Sequence, residues 1–440
     1  MGSPMNILLI FPKVQYAHVE RRQRKEILNT LFGEALSLTL PQVAASTQSQ
    51  HQVSIVDENY ESIDFNAKID LVGITCLTMS APRAYEIADT FRSRGIPVIL
   101  GGNHPSALPD EAKQHADSVV VGEAELTWPR LLEDFEKGQL QAFYTSETAI
   151  PPDKIPNPRR DLITRRITMD GLLIRRGCPN RCEFCTVAKL YHEATKNRDQ
   201  VIHEIENITA KQVFIYDQNL TWDIEYVKSL LQDIKRFNKR WLANGTINVF
   251  QKNDELLRVA KEANLFYWYI GFESFSQKSL NASNKRHNQV EMYLPALKKI
   301  KEYGMIVNGS FIFGFDEDTV DIFEITSQKL DELGIDMAEF HIITPFPGTA
   351  LYTRLKNERR LLTEDWSKYT SANVVFKPKK MSSQQLFEGT RSVAKNFYSI
   401  RKILKRSFSA FQSSKDFSIF ILVLFRNLRY RERYRNQFNF

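Results

Sequence analysis

The sequence lacks most of what would take it out of the ordinary globular class. Glycine and proline number only 18 and 17 in 440 residues, and the composition is 42% hydrophobic and 25% charged. Collagen, a coiled coil and disorder are thereby excluded as descriptions of the whole chain. No apolar run approaches the roughly 20 residues that cross a bilayer; Phe417–Phe425 has nine, Ser418 among them. A transmembrane helix is not expected. No basic stretch leads into an apolar core at the N-terminus, and Met1-Gly-Ser-Pro ahead of Met5 reads as a cloning scar. The expectation is a cytoplasmic protein rather than a secreted one. Cysteine is scarce, with four residues at 76, 178, 182 and 185. Three of them cluster, which in a reducing compartment reads as metal ligation or redox chemistry before disulfides.

Positive charge is concentrated rather than general. The net charge is +7, yet residues 401–440 hold ten Lys/Arg against two acids, so the rest of the chain is nearly neutral. A nucleic-acid-binding protein would spread its basic residues over the folded surface, so no nucleic-acid partner is expected.

At this length two or three domains are expected. Residues 5–145 alternate short Val/Ile-rich runs with helical stretches: Ile7–Phe11, a helical stretch through Leu40, Val53–Val56, Leu71–Thr75, a helix Pro82–Arg94, Val98–Leu100 and Val119–Val121. Runs without period-two alternation suit strands buried on both faces, hence a doubly wound parallel sheet. Such sheets bind ligands beyond the carboxyl ends of their strands. The loops there supply Thr78, Met79 and Ser80, then Gly101, Gly102 and His104, then Gly122, Glu123 and Glu125.

A Pro-rich linker is expected over 146–165. Alternation resumes over 166–350 with six expected strands, Gly171–Arg176, Gln212–Tyr216, Trp241–Val249, Phe266–Gly271, Ile306–Phe315 and Glu339–Thr344. Helices are expected at Glu225–Phe237, Asn253–Ala263, Val290–Tyr303 and Val320–Leu333. Six such repeats suggest a partial α/β barrel with its reactive groups at the carboxyl ends of the strands. A helical region with a basic tail is expected over 351–440.

Directly after the first barrel strand stands Arg176-Gly-Cys178-Pro-Asn-Arg-Cys182-Glu-Phe-Cys185. Three thiolates at this spacing can hold three irons of a [4Fe–4S] cube and leave the fourth iron open. A zinc site with His192 as fourth ligand is the alternative.

The chain here resembles the radical S-adenosylmethionine (SAM) superfamily, whose signature is Cys-x3-Cys-x2-Cys with an aromatic residue, here Phe184, before the last cysteine. The resemblance implies that SAM chelates the open iron and that its reductive cleavage yields a 5′-deoxyadenosyl radical. It further implies an electron donor such as flavodoxin or ferredoxin. At other strand ends it points to Asp217 for the amino end of the methionine and to Glu273, with Ser274, for ribose hydroxyls. Gly309 and Thr344 lie in motifs that enclose the adenine and methionine. The plainer readings are that Asp217 caps a helix and Glu273 is solvated.

A doubly wound domain ahead of such a barrel resembles the cobalamin-binding class, which gives the loops at 78–80, 101–104 and 122–125 to cobalamin. The cobalt-ligating Asp-x-His-x-x-Gly loop of many members is absent, since Phe11 is followed by Pro12-Lys-Val-Gln-Tyr-Ala. Within the class the chain is similar to hopanoid C-methylases and bacteriochlorophyll side-chain methylases, on Leu38-Thr-Leu-Pro-Gln-Val-Ala44, Gly177-Cys-Pro-Asn-Arg-Cys-Glu-Phe-Cys-Thr-Val187 and Asp365-Trp-Ser-Lys-Tyr369. That implies C-methylation of an apolar lipid, hopanoid or tetrapyrrole. The same subgroup also closes or rearranges rings. A tRNA methylthiotransferase would want three cysteines in the first domain, where only Cys76 occurs. Finally, Phe417–Phe425 followed by Arg426, Arg429, Arg431, Arg433 and Arg435 suits either a peripheral contact with an anionic membrane or a helix packed on the barrel.

Overall fold

The run Ile7-Leu-Leu-Ile10 is apolar on both faces because the strand it forms lies inside a sheet. In the computed structural model, which describes residues 3–14, 35–438 and 440, β1 (Asn6–Phe11) pairs in parallel with β2 (Gln52–Asp57) on one side and β3 (Leu71–Thr75) on the other. The sheet continues through β4 (Val98–Gly101), β5 (Ser118–Val121) and β6 (Phe143–Thr145), giving the parallel order β2-β1-β3-β4-β5-β6. The order reverses between β1 and β3, which opens a crevice at their carboxyl ends. Helices α1 (Thr39–Ala45), α2 (Ala81–Ser93) and α3 (Ala124–Glu136) cover the sheet. The sequence does not announce β6: it has three residues and only Tyr144 is buried. Most of the helical stretch expected through Leu40 lies outside the described residues; of its described end, residues 35–38 are not helical and only Thr39 and Leu40 fall in α1.

The second sheet is the partial barrel. The first expected barrel strand is two: β7 (Met169–Leu172) joins the barrel, while β8 (Arg175–Arg176) pairs antiparallel with β9 (Ala194–Thr195). Then follow α4 (Arg198–Glu206), β10 (Gln212–Ile215), α5 (Ile224–Ile234), β11 (Arg240–Gly245) and α6 (Asp254–Glu262). The remainder is β12 (Leu265–Glu273), α7 (Tyr293–Glu302), β13 (Ile306–Phe313), α8 (Ile322–Leu333) and β14 (Met337–Ile342). The six strands are all parallel, in the order β14-β13-β12-β11-β10-β7. The expected strand Trp241–Val249 stops at Gly245, and Ile247–Phe250 is a helical turn that buries Ile247 and Phe250. On β12, Trp268, Ile270 and Phe272 pack outward against the helices, while Tyr267 and Tyr269 point into the lumen, as the two-residue period requires.

The Pro-rich segment between the sheets is tied down rather than free. Ile150 and Ile155 are buried, Arg159 N–H donates to the Pro41 carbonyl, and Arg160 reaches Asp170, Glu204 and the Gly171 carbonyl.

After the barrel come α9 (Ala350–Asn357), α10 (Ser383–Phe397), α11 (Ile400–Ser414) and α12 (Phe417–Phe438). Of the two readings of the tail, the packed helix is the one observed for its apolar run. Ile419, Leu422 and Val423 bury against Met169, Leu242, Tyr267 and Met337, at the starts of the barrel strands. Three of the arginines also turn inward: Arg426 lies over the Tyr267 ring, Arg431 donates to the Tyr398 carbonyl, and Arg433 to Glu339, while Arg435 is exposed. No helix of the described residues is long and apolar enough to cross a membrane.

Tyr434 is the far anchor of α12. It is buried, stacks on Tyr398 with ring centroids 5.4 Å apart, and its hydroxyl oxygen accepts from Phe340 N–H at 2.7 Å. Tyr434→Phe, which leaves that amide without a partner, is expected to cost about 1–2 kcal/mol and Tyr434→Ala about 3–5 kcal/mol. Thermal melting of the two variants beside the parent checks the order; equal melting temperatures would contradict it.

Candidate functional site

The cysteine loop leaves β8 through Gly177, whose φ of +77° and close neighbours (His192 carbonyl and Glu193 Cα at 3.1 Å from an added Cβ) leave no room for another residue. The loop is then pinned from two sides. Glu183 N–H donates to the Ser283 carbonyl at 3.0 Å and Asn284 to the Arg181 carbonyl at 2.7 Å, both partners following β12. From α9, Leu351 N–H donates to the Glu183 carbonyl, and the Glu183 carboxylate takes Arg354 at 2.6 and 3.1 Å. Within the loop Cys185 N–H closes on the Cys182 carbonyl. Phe184 packs edge-on against Phe315.

Cys178, Cys182 and Cys185 are each half-buried. Burial pushes the Cys182 thiol up to about 12 and also raises Cys185, a shift that the positive charge of a bound metal would oppose. A single zinc ion does not suit the site. Among the described residues no three His, Cys, Asp or Glu side chains gather closely enough for one ion, and His192 instead contacts Glu123 at 3.2 Å. Three thiols on a pinned loop, without a fourth ligand beside them, fit an iron–sulfur cube with an open iron.

Asp217, two residues after β10, is buried and accepts from Ile174 N–H (2.8 Å) and Arg175 N–H (3.1 Å). Neither a helix cap nor free, it holds the strand that leads into the cysteine loop. Burial pushes its carboxyl up to about 6, and Oδ2 has no protein partner. Glu273 is buried rather than solvated. It adopts φ +65° at a bulge in β12, with Lys285 Nζ 2.6 Å from Oε1 and Ser310 Oγ 3.4 Å from Oε2. Ser274 is buried beside it and accepts from Ser276 N–H. Gly309 faces outward: an added Cβ would meet Ile335 at 2.6 Å and Phe272 at 2.9 Å, which makes it a packing glycine. Thr344 is buried, and its hydroxyl donates to the Ile342 carbonyl.

A cavity of about 360 Å³ lies where the carboxyl ends of β1, β3, β4 and β5 face the barrel. Leu9, Gly73, Ile99, Val120 and Trp128 form its apolar wall along the sheet; Gly101, Gly102, Gly122, Glu123 and Glu125 form its rim; Leu173, Arg176, Tyr191, Tyr216 and Gln218 close it from the barrel side. A Cβ on Gly73 would sit 2.8 Å from Leu9 and 3.2 Å from Trp128. The missing side chain therefore lets Leu9 and Trp128 close onto β3 and form the cavity wall there. Thr78, Met79, Ser80 and His104 do not line it. Thr78–Ser80 is a 3-10 turn packed on Trp366–Lys368, and the Ser80 hydroxyl bonds Leu77. His104 is buried against the Trp366 ring with Nε2 3.1 Å from Glu111. Cys76 is buried in the same apolar cluster, its thiol raised by burial.

Two groups of residues escape a reading of the sequence. Arg176 is buried, and its guanidinium meets Glu123 at 3.2 Å and Glu125 in a shorter contact, joining the cysteine strand to the first domain; Tyr191 adds a 2.9 Å bond to Asn103. Inside the barrel, Glu339 accepts from Tyr430 (2.8 Å), Asn308 (3.2 Å) and Arg433 (3.3 Å), with His341 Nε2 3.9 Å away. Burial would raise Glu339, yet Arg433 and His341 hold it below its usual range, while burial lowers His341. Only the alternation Met337-Ala-Glu-Phe-His341 hints that both face the lumen.

The geometry agrees with the comparisons. A model of the radical SAM superfamily matches residues 172–330 and one of the B12 binding domain matches residues 25–132; a domain family of unknown function matches residues 349–419. A bacteriochlorophyllide d C-12(1)-methyltransferase of Chlorobaculum tepidum is 31% identical over 392 residues, covering 84% of each chain. The chain belongs to the B12-binding radical SAM family. A hopanoid C-2 methylase of Rhodopseudomonas palustris is 25% identical over 82% of this chain and 71% of its own. The solved structure of the cobalamin-dependent SAM radical enzyme OxsB, with aqua-cobalamin and SAM bound, aligns with a TM-score of 0.68 over 95% of this chain and 72% of its own. At 15% identity that is a likeness of fold. The protein is an enzyme whose cofactors are a [4Fe–4S] cluster, SAM and cobalamin. Its first domain holds Cys76 as its one cysteine and its C-terminal region is helical among the described residues, so the auxiliary-cluster pattern of a methylthiotransferase has no ligands here.

Cys178→Ala, Cys182→Ala and Cys185→Ala are each expected to lose the cluster and reductive SAM cleavage, because nothing nearby replaces the missing iron bond. Cys76→Ala should keep both. Iron and sulfide analysis with detection of 5′-deoxyadenosine reads the outcome, and cleavage surviving in any of the first three would contradict it.

Proposed function

We propose that this enzyme methylates an unactivated carbon of an apolar small molecule, of the tetrapyrrole or polycyclic-lipid kind, in the cytoplasm. One observation carries the reading: the cavity of the first domain opens onto the barrel beside the strand of the cysteine loop, with Arg176 in its wall. A methyl donor seated there and a radical generator held by the cysteines would share one reaction space. When bound, the cluster with SAM supplies a carbon-centred radical and cobalamin supplies a transferable methyl group.

The chain's own residues bind and orient. Cys178, Cys182 and Cys185 hold the cluster, with Phe184 shielding one side. Glu273, oriented by Lys285, is the acceptor for the ribose hydroxyls of SAM, with Ser274 beside it. Asp217 fixes the approach to the loop and keeps one oxygen free for an ammonium; Thr344 shapes the far wall, and Gly309 acts by letting β13 approach Phe272. Gly101, Gly102 and Gly122 would let a corrin approach the backbone closely, and Glu123 and Glu125, bound to Arg176, would offer acceptors to its amides. Thr78, Met79, Ser80 and His104 support these loops from behind. A one-electron donor such as flavodoxin or ferredoxin completes the cycle.

Turnover with trideuteromethyl SAM should place the label in product and release S-adenosylhomocysteine and 5′-deoxyadenosine in equal amounts. A strain lacking the enzyme should accumulate a metabolite one methylene lighter. 5′-Deoxyadenosine with an unlabelled product two hydrogens lighter than the substrate would instead identify ring formation, and an unlabelled isomer a rearrangement.

Cobalamin should bind at one per chain without histidine on cobalt, since among the described residues none that lines the cavity is a histidine. Paramagnetic resonance of the cob(II)alamin form checks this, and nitrogen coupling from a protein histidine would contradict it.

A further inference from the structure

With Ile419, Leu422 and Val423 and three of the arginines of α12 turned inward, a different surface of the C-terminal region is left outside. Helix α11 has three faces. Ile403, Arg406, Ser407 and Ala410 pack inward. On the adjoining face Ile400, Leu404 and Phe408 recur every fourth residue and are 47, 50 and 54% exposed. Phe411 continues this stripe onto Phe417, which is 64% exposed, with ring centroids 6.3 Å apart, and Phe417 stacks on Phe420 at 5.6 Å. Arg401 and Lys405 are exposed along its outer side and Lys415 at its end.

A packed core does not need this stripe, and a soluble surface does not favour it. Its flank is basic throughout. Helix α11 contains no acid; Asp331 pairs with its Lys402 at 2.6 Å, and Asp416, just beyond its end, with Arg240 at 3.8 Å. An apolar stripe with large side chains, bordered by uncompensated cations, matches the boundary of an anionic bilayer, where the rings enter the acyl region and the cations stay among headgroups. The place in the fold agrees. The turn between α11 and α12 lies beside Arg240 and Gly304, at the starts of β11 and β13. The cysteine loop lies at the opposite, carboxyl ends of the strands. Docking on this end leaves the reacting end open to a reductant.

We infer that Ile400, Leu404, Phe408, Phe411 and Phe417, with Arg401, Lys405 and Lys415, form a peripheral docking surface for anionic lipid. This goes beyond the proposed reaction and does not rest on it.

Sedimentation of the reconstituted full-length enzyme with phosphatidylglycerol/phosphatidylcholine vesicles, beside vesicles of phosphatidylcholine alone, tests it. Binding is expected on the anionic vesicles only, and weaker at about 0.5 M than at about 0.1 M salt. The triple variant Leu404→Glu/Phe408→Glu/Phe417→Glu should bind roughly tenfold or more weakly, with unchanged melting and unchanged SAM cleavage. Arg401→Gln/Lys405→Gln should lose most of the salt dependence and keep the fold. No binding to anionic vesicles, or equal binding by the triple variant, overturns the inference. So does a concentration-dependent dimer that the triple variant abolishes, since the stripe would then be covered by a second copy of this chain.

Discussion

A guanidinium buried between two carboxylates fixes where everything else in the site stands. Arg176 is the second residue of β8 and is followed by Gly177 and Cys178, while Glu123 is the N-cap of α3 and Glu125 stands in its first turn, directly after β5 where it borders the cavity. Such a cluster contributes little net stability, because desolvating three charges offsets most of their attraction. Its value is positional. Apolar side chains of equal volume would tolerate many relative placements of the two sheets, whereas a bidentate cation tolerates few. The short strand that launches the cysteine loop is thereby registered against the segment that lines the cavity. Tyr191 on Asn103 gives a second tie, and the glycine turn converts this register into the position of the cysteines.

The barrel poses the opposite problem, for six strands do not close. Edges remain at β7 and β14, and unpaired edges are a hazard that folds cover. Here α10 and α12 pack on the β14 side, and α12 starts beneath the lumen with Ile419, Leu422 and Val423 before climbing to Tyr434. The climb carries function-sized consequences, since Tyr430 and Arg433 reach across to Glu339 and set the charge beside His341. The polar character of the lumen floor is thus written by the last helix of the chain as much as by the strands around it.

These two arrangements explain what the sequence discloses and what it withholds. Cysteine spacing is legible because three ligands for one cube must be close in the chain. Strands buried on both faces are legible from unbroken Val/Ile runs, and β6 is not, because three residues with one buried carry no pattern. Asp217 and Glu273 are legible as acids at strand ends. Their partners are not: Asp217 holds backbone amides and Glu273 a lysine twelve residues on. Arg176 reads as the polar end of a strand, for its partners lie more than fifty residues away. His104 and Thr78 follow strands as ligand-binding residues do, yet the chain after the barrel returns with Trp366 and covers them.

The tail shows why a charge count is not a surface. Residues 401–440 carry ten cations, but burial draws Arg406 onto the Phe397 ring, lowering its pKa to about 10, and Arg426, Arg431 and Arg433 each find partners in the barrel or the neighbouring helices. A run such as Phe417–Phe425 and a stripe such as Ile400, Leu404 and Phe408 are alike in the sequence, since both are apolar beside basic residues. Only the packing separates them: a 22-residue helix beside an open barrel must bury its apolar start, whereas the helix before it has already buried a different face and has nothing left to cover the stripe. The exposed apolar surface is therefore a consequence of closing the barrel with α12.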